Sequence, residues 1–319
     1  MYYTPVMAHS STAMPILRIG SRGSPLALAQ AREVRSRLAA ACGFAPERIE
    51  ITTIRTTGDT IQDRPLADAG GKGLFTKEIE EALLSGAVDL AVHSSKDMPT
   101  VLPPGLVLSA FLPREDARDA FISRKAKTLG ELPKGAVIGT ASLRRQALLK
   151  HLRPDLAIVP LRGNVETRLR KLETETIDAT VLAIAGLKRL GLGTAATAIF
   201  DIDEFLPAVA QGAIGIETRG DDTKTSALVA AVNDPGTATA VAAERAFLAV
   251  LDGSCRTPIA GHARVSDGMV RFRGMIIKTD GSEALEVRRE GKYAEAAALG
   301  ADAGHDLKGR AGPGFFVRT

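Results

Sequence analysis

Basic side chains recur in this sequence where short apolar runs give way to glycine, serine or asparagine. Arg22 follows residues 17–19, inside Gly20-Ser21-Arg22-Gly23-Ser24. Lys96 follows the apolar run 88–92, and Arg144 and Arg145 follow 137–140. Arg162 follows 158–161 with Arg168 six residues on, and Arg189 follows 179–183. If these runs are strands of open α/β sheets, every one of these cations lies beyond a carboxyl end, where such sheets bind ligands. Helix N-termini at the same places add unpaired N–H groups and a positive dipole end. The planar arginine fork takes a carboxylate or phosphate through two parallel hydrogen bonds. The chemistry implied is a cleft that holds several acidic groups. A single such arginine is as readily a surface residue; the recurrence is the signal.

Three further side chains are candidates for chemistry. Asp97, in His93-Ser94-Ser95-Lys96-Asp97, is a carboxylate on a strand-end loop, suited to handling a proton or stabilising a cation, although a lone Asp more often closes an Asx turn. His93 is a general base or a packed structural histidine. Cys255 lies in Gly253-Ser254-Cys255-Arg256-Thr257-Pro258, an irregular loop in which Arg256 favours the thiolate. A loop thiol of this kind is a nucleophile, a covalent attachment point or inert, and the residues alone leave these open. Cys42, at the end of an Ala-rich helix, reads as structural. No HxxxH or CxxC spacing occurs, so no metal site is expected. No phosphate-loop or dinucleotide glycine pattern occurs at a strand-to-helix turn.

The elements that must position these groups read as alternating strand and helix. Residues 17–19 form a strand, 20–24 a tight loop, and 25–38 a helix with Ser24 as N-cap and Pro25 in its first turn. Strands follow at 49–54 and 88–92, with a helix at 76–84 stopped by Gly86. The glycine-rich stretch 62–73 has no periodicity and reads as a lid or a disordered segment. The pattern repeats with strands at 137–140, 158–161 and 179–183, and with helices capped by Ser142 and placed after Asn164. Such alternation predicts parallel sheets with right-handed crossovers, hence two α/β lobes and a cleft between them. The last segment changes to a helix at 237–251, antiparallel strands at 270–277 and 285–289, and a helical stretch at 293–299. It reads as a smaller α+β domain from about Pro235.

Bulk properties set limits. The chain has 319 residues, 45% apolar and 24% charged, with no Trp and two Cys. That is ample for two or three cores and excludes a disulfide scaffold. A net charge of +4 is mild and does not by itself call for a nucleic acid partner, and the arginines set beside Gly, Ser or Thr in loops favour local anion binding. No apolar run is long enough to span a membrane. Residues 1–15 carry no Lys or Arg and read as a disordered leader, with the cytoplasm as the expected location.

Taken together these residues resemble the porphobilinogen deaminase, or hydroxymethylbilane synthase, family. The resemblance rests on Arg18-Ile19-Gly20-Ser21-Arg22-Gly23-Ser24-Pro25-Leu26-Ala27, Gly70-Gly71-Lys72-Gly73-Leu74-Phe75, Ala91-Val92-His93-Ser94-Ser95-Lys96-Asp97-Met98-Pro99, Gly139-Thr140-Ala141-Ser142-Leu143-Arg144-Arg145-Gln146, Leu161-Arg162-Gly163-Asn164-Val165, Ala185-Gly186-Leu187-Lys188-Arg189-Leu190-Gly191 and the Cys255 loop, in that order. It implies two lobes like those of periplasmic binding proteins plus a C-terminal domain. Domain 1 would span 16–112 and 213–230, with the chain returning near Gly212; domain 2 would span 118–206, and domain 3 235–319.

The resemblance also implies a transferase of tetrapyrrole (haem) biosynthesis. It would join four porphobilinogen units head to tail, with loss of ammonia, into hydroxymethylbilane. The primer would be a dipyrromethane cofactor that the enzyme builds and holds through Cys255. Asp97 and Arg22 would be catalytic. Lys96, Asp97, Ser142, Arg144, Arg145 and Arg168 would hold the cofactor. Arg22, Ser24, Arg162 and Arg189 would hold substrate. Lys72 and Phe75 would belong to a lid formed by the loop 61–72. A monomer is implied, with no nucleic acid or membrane partner. Asp68 stands where some relatives carry a basic lid residue, and the match loosens after about Arg264. The fit is chemical as well: each pyrrole brings an acetate and a propionate, so a growing chain needs many arginines. Two competing readings are a solute-binding protein for an acidic metabolite and a transferase using Lys96 as a Schiff base.

Overall fold

The computed structural model describes residues 15–60, 75–252, 257–312 and 315. The leader, the loop 61–72 with Lys72 and Asp68, and Cys255 with Arg256 lie outside the described residues.

The first stretch runs β1 (Leu17–Arg22), α1 (Pro25–Cys42), β2 (Ile49–Ile54), α2 (Thr57–Thr60), α3 (Lys77–Leu84), β3 (Leu90–Ser94) and β4 (Leu106–Phe111). The second runs β5 (Asp119–Ser123), β6 (Val137–Gly139), α4 (Leu143–Leu152), β7 (Ala157–Val159), α5 (Val165–Thr174), β8 (Ala179–Ala183), α6 (Ile184–Arg189) and β9 (Ala198–Ile199). The chain then returns with β10 (Ile214–Arg219) and α7 (Thr223–Ala230). It ends with α8 (Pro235–Val250), β11 (Ile259–Ser266), β12 (Met269–Ile277), β13 (Ala284–Lys292) and α9 (Ala296–Ala311).

Two five-stranded sheets result, in the orders β2-β1-β3-β10-β4 and β7-β6-β8-β5-β9. Three strands in each are parallel, as the alternation predicts. One strand in each runs against the other four and breaks the expectation of purely parallel sheets. β10 is antiparallel to β3 and β4, and β5 is antiparallel to β8 and β9. The reason is topological. The fourth place in each sheet is filled by the strand that arrives from the other sheet, and the fifth by the strand that leaves. Neither is made by a local strand–helix–strand crossover. The return at β10 places residues 214–219 in the first sheet. The last segment is a three-stranded antiparallel sheet, β11-β12-β13, covered by α8 and α9. The fold is α/β in two lobes with a smaller α+β unit.

Local chemistry sets the helix starts that face the cleft. Ser24 accepts from the Ala27 amide at 3.3 Å and Pro25 occupies the first turn of α1. Ser142 accepts from the Arg145 amide and Asn164 from the Thr167 amide. Gly43 ends α1 with φ of 70°, a left-handed conformation that glycine adopts without strain. One boundary differs from expectation. β1 runs on through Arg22, where a tight loop at 20–24 is predicted, because Gly20, Ser21 and Arg22 continue the ladder with Thr52, Thr53 and Ile54. Separate buried clusters lie around Ile19, Leu38 and Ile216 in the first lobe, around Phe121, Ile138 and Phe205 in the second, and around Phe247, Phe272 and Ile276 beneath the last sheet. Among the described residues no helix is long and apolar enough to cross a membrane.

Candidate active site between the lobes

One wall of the site comes from the ends of β1 and β3. The Arg22 guanidinium lies over the Phe75 ring, 4.1 Å from its centroid, a cation–π arrangement. Gln30 on α1 donates to Ser94 Oγ at 2.8 Å. β3 passes into a single 3-10 turn, Ser95–Asp97, held by the Ser95 amide on the Ala213 carbonyl at 3.0 Å. A pocket results, lined among others by Arg22, Ser24, Gln30, Phe75, His93 and Asp97. Asp97 is exposed there. His93 is buried, and its Nε2 shares a hydrogen bond of 3.1 Å with Glu217 on the neighbouring strand. The histidine is thus tied into the sheet, the structural one of its two readings.

The second lobe supplies the facing wall. Arg144 and Arg145, in the first turn of α4, both point at Asp119, the first residue of β5. Arg144 Nη2 reaches Asp119 Oδ2 at 2.7 Å and its Nη1 the Leu206 carbonyl at 2.8 Å. Arg145 donates to Asp119 Oδ1 through Nε at 3.1 Å and Nη2 at 2.7 Å. Asp119 has no exposed surface. Burial alone would raise its pKa, but Arg144, Arg145 and Lys96 overcome that and hold it down at about 2. Gln211 Nε2 adds a bond to Asp119 Oδ1 at 3.1 Å, and Lys96 Nζ donates to Gln211 Oε1 at 3.4 Å.

Positive charges lie close together here, Lys96 near Arg144 and Arg145, and Arg168 near Arg145 and Arg162. Burial pushes the Lys96 ammonium down to about 8, with Asp97 opposing and Arg145 adding to the shift. Arg168, whose Nε donates to the Gly163 carbonyl at 2.8 Å, is lowered to about 10 by burial and by the charges of Arg145 and Arg162, against Asp97. Asp97 and Asp119 offset part of this crowding of like charge, and anionic groups of a ligand would offset more of it. Among the described residues, Arg144 Nε is also buried without a hydrogen-bond partner. The donor set suits a ligand that carries several carboxylates.

Comparison with known proteins agrees with this chemistry. The family model described as porphobilinogen deaminase, dipyromethane cofactor binding domain, matches residues 17–227. The porphobilinogen deaminase C-terminal domain matches 238–309. The chain belongs to the porphobilinogen deaminase family. The porphobilinogen deaminase of Nitrobacter winogradskyi is 65% identical over 94% of this chain and 95% of that protein. The Paracoccus denitrificans protein of the same name is 56% identical over 94% of this chain and 96% of its own length. The chloroplastic one of Oryza sativa subsp. japonica is 54% identical over 98% of this chain and 88% of its own. Among solved structures, the methionine-binding protein MetQ aligns with a TM-score of 0.42 at 19% identity, over 68% of this chain and 89% of that one.

For a porphobilinogen deaminase, the geometry sorts the arginines more finely than the sequence does. Arg145 lies near Lys96, and Arg168 near Asp97, Arg145 and Arg162. Arg144 is tied to Asp119 and the Leu206 carbonyl through its two Nη atoms. Arg189 lies at the lobe junction, where its Nε meets Glu33 at 3.3 Å and its Nη2 the Gly212 carbonyl at 3.0 Å. Asp119, Gln211 and Glu217 were not legible as site residues. Their one sequence signal is a polar residue inside or beside an apolar run, which is also what an ordinary surface strand shows.

Proposed function

We propose that this transferase condenses porphobilinogen at the pocket where Asp97 faces Arg22. The enzyme joins four porphobilinogen molecules head to tail into hydroxymethylbilane with release of ammonia, on a dipyrromethane primer. When bound, dipyrromethane supplies a nucleophilic pyrrole carbon as acceptor for the first unit. The observation that carries the residue roles is the placement of Asp97. It is an exposed carboxylate at a strand end, within the electrostatic reach of Lys96 and Arg168 and beside Arg22.

Loss of ammonia from porphobilinogen leaves positive charge delocalised over its ring and ring nitrogen. Asp97, fixed on its short turn, accepts the ring N–H and stabilises that charge without reorganising, as a preorganised dipole or charge does. Arg22 and Ser24 hold the substrate's acidic arms, and Phe75 shields one side of the pocket from water. Lys96, Ser142, Arg144, Arg145 and Arg168 hold cofactor carboxylates, with Asp119 anchoring Arg144 and Arg145 from behind. Arg162 and Arg189 serve incoming or extended units. Cys255 carries the primer by a thioether, and Lys72 belongs to the lid. The proposed division is 16–112 with 213–230, then 118–206, then 235–319. A cytoplasmic monomer is the proposed state.

Two variants test this reading. Asp97→Asn should lose turnover while its intact mass under denaturing conditions still shows the two linked pyrroles. Wild-type turnover in that variant would remove Asp97 from the reaction. Cys255→Ala should show no such mass excess, and a dipyrrole on any other peptide would refute the attachment site.

A further inference from the structure

The loop that carries Asp97 is held at both ends, and one hold comes from the C-terminal unit. Arg245 on α8 donates through Nη2 to the Pro99 carbonyl at 2.7 Å and to the Thr100 carbonyl at 3.2 Å. It is partly buried, and its charge acts on Glu217. Glu217 has no exposed surface and bonds His93, the residue that leads into the turn. Gly215, two residues before Glu217, leaves room that the turn uses: a Cβ there would meet Ser95 Oγ at 2.9 Å. The Asp97 turn therefore sits between a buried carboxylate–imidazole pair on its strand side and an arginine clamp on its exit.

We propose that Arg245 is a positioning residue for Asp97, clamping the exit of its loop against the Glu217–His93 pair and so fixing Asp97 relative to the helix that leads in sequence to Cys255. This rests on the role assigned to Asp97 above. The neighbouring Glu244 shows that α8 is itself anchored. It accepts from Arg114 Nη1 at 2.5 Å and from the Ala263 amide at 2.7 Å, tying α8 to the segment between β4 and β5 and to β11. Arg245 thus works from a firm base. Both bonds leave one nitrogen, Nη2, at the end of the long arginine arm, and a lysine arm is shorter and carries a more strongly hydrated charge.

The test compares Arg245→Met and Arg245→Lys with the parent, each measured per cofactor-loaded molecule. Displacing a reacting group by about 1 Å costs about 10²-fold. Arg245→Met should therefore lose turnover on that order with KM little changed, and amides of residues 94–101 should exchange faster. Arg245→Lys, which keeps the charge beside Glu217 and one carbonyl bond, should recover part of both. In an Asp97→Glu background, where the carboxylate is already displaced, Arg245→Met should cost much less, because groups that act through one another are not additive. Full turnover in Arg245→Met, or an undiminished penalty on top of Asp97→Glu, overturns the clamp. Wild-type turnover in Asp97→Asn alone marks the different failure, that of the Asp97 role on which the clamp depends.

Discussion

Asp119 is the residue on which the second wall turns. Two arginines that would otherwise repel across the start of α4 are brought together by one buried carboxylate. Removing its charge leaves both guanidinium groups desolvated without an anion, and breaking a buried pair in this way costs about 3–5 kcal/mol. Asp119→Asn is expected to lose stability on that scale, read as a lower urea midpoint at unchanged slope. A loss below about 1 kcal/mol would mean that the two arginines relax to water, on the scale of an exposed ion pair. Lys96 gives a pH signature of opposite origin. Its folded value of about 8 lies below the ordinary 10.5, so between these values the unfolded chain binds the proton more tightly. The group therefore opposes folding below pH 8, and stability rises as pH climbs from 8 towards 10.5. Lys96→Met apo-protein should lack that rise in its melting temperature. An identical pH profile would show that the ammonium is hydrated. Residues such as Ser24, Pro25, Ser142 and Asn164 were readable because a cap acts within three residues of itself. Asp119 and Glu217 were not, because their meaning comes from partners 25 to 124 positions away.

Elements were legible where the signal was local. Strands at 49–54 and 179–183 fall where the sequence places them, and the helix at 25–38 extends to Cys42. β4, β5, β9, β10 and β11 carry no such local signal. β10 contains Gly215, Glu217 and Thr218, all inside the protein, so neither alternation nor a continuous apolar run marks it. The helix pair of the last unit depends on a feature equally hard to weigh in sequence. At Gly300 in α9, a Cβ would lie 1.9 Å from the Ala243 carbonyl oxygen of α8. The two helices touch backbone to backbone, and a methyl group must push them apart. Gly300→Ala is expected to destabilise by about 1–3 kcal/mol, the usual scale of overpacking. Because α8 bears Glu244 and Arg245, the same variant should also slow turnover per loaded molecule. A melting temperature equal to the parent's would show that α9 shifts along α8 at no cost.

At the scale of the molecule, the two lobes meet through contacts that share residues with the site. Arg189 on α6 pairs with Glu33 on α1 and with the Gly212 carbonyl at the return to the first sheet, Lys188 reaches Glu115, and Leu26 lies against Gly186. The two-lobe plan followed from the repeated strand–helix pattern, but these meeting points did not, since nothing local marks Glu33 or Glu115 as facing the other lobe. The Glu33 pair sets a competition. A guanidinium that already holds a carboxylate must release it, or share it, to take an acidic arm of the growing chain. Glu33→Gln removes the competitor while the Gly212 bond keeps Arg189 in place. The pair is partly exposed, so its worth is on the order of 1 kcal/mol, which corresponds to roughly fivefold in affinity. The KM for porphobilinogen, or the affinity of a later elongation state, should therefore improve by about that factor in Glu33→Gln, and the gain should shrink as salt screens it. If KM instead rises, with lower stability, Arg189 serves to hold the lobes together and its proposed contact with substrate fails.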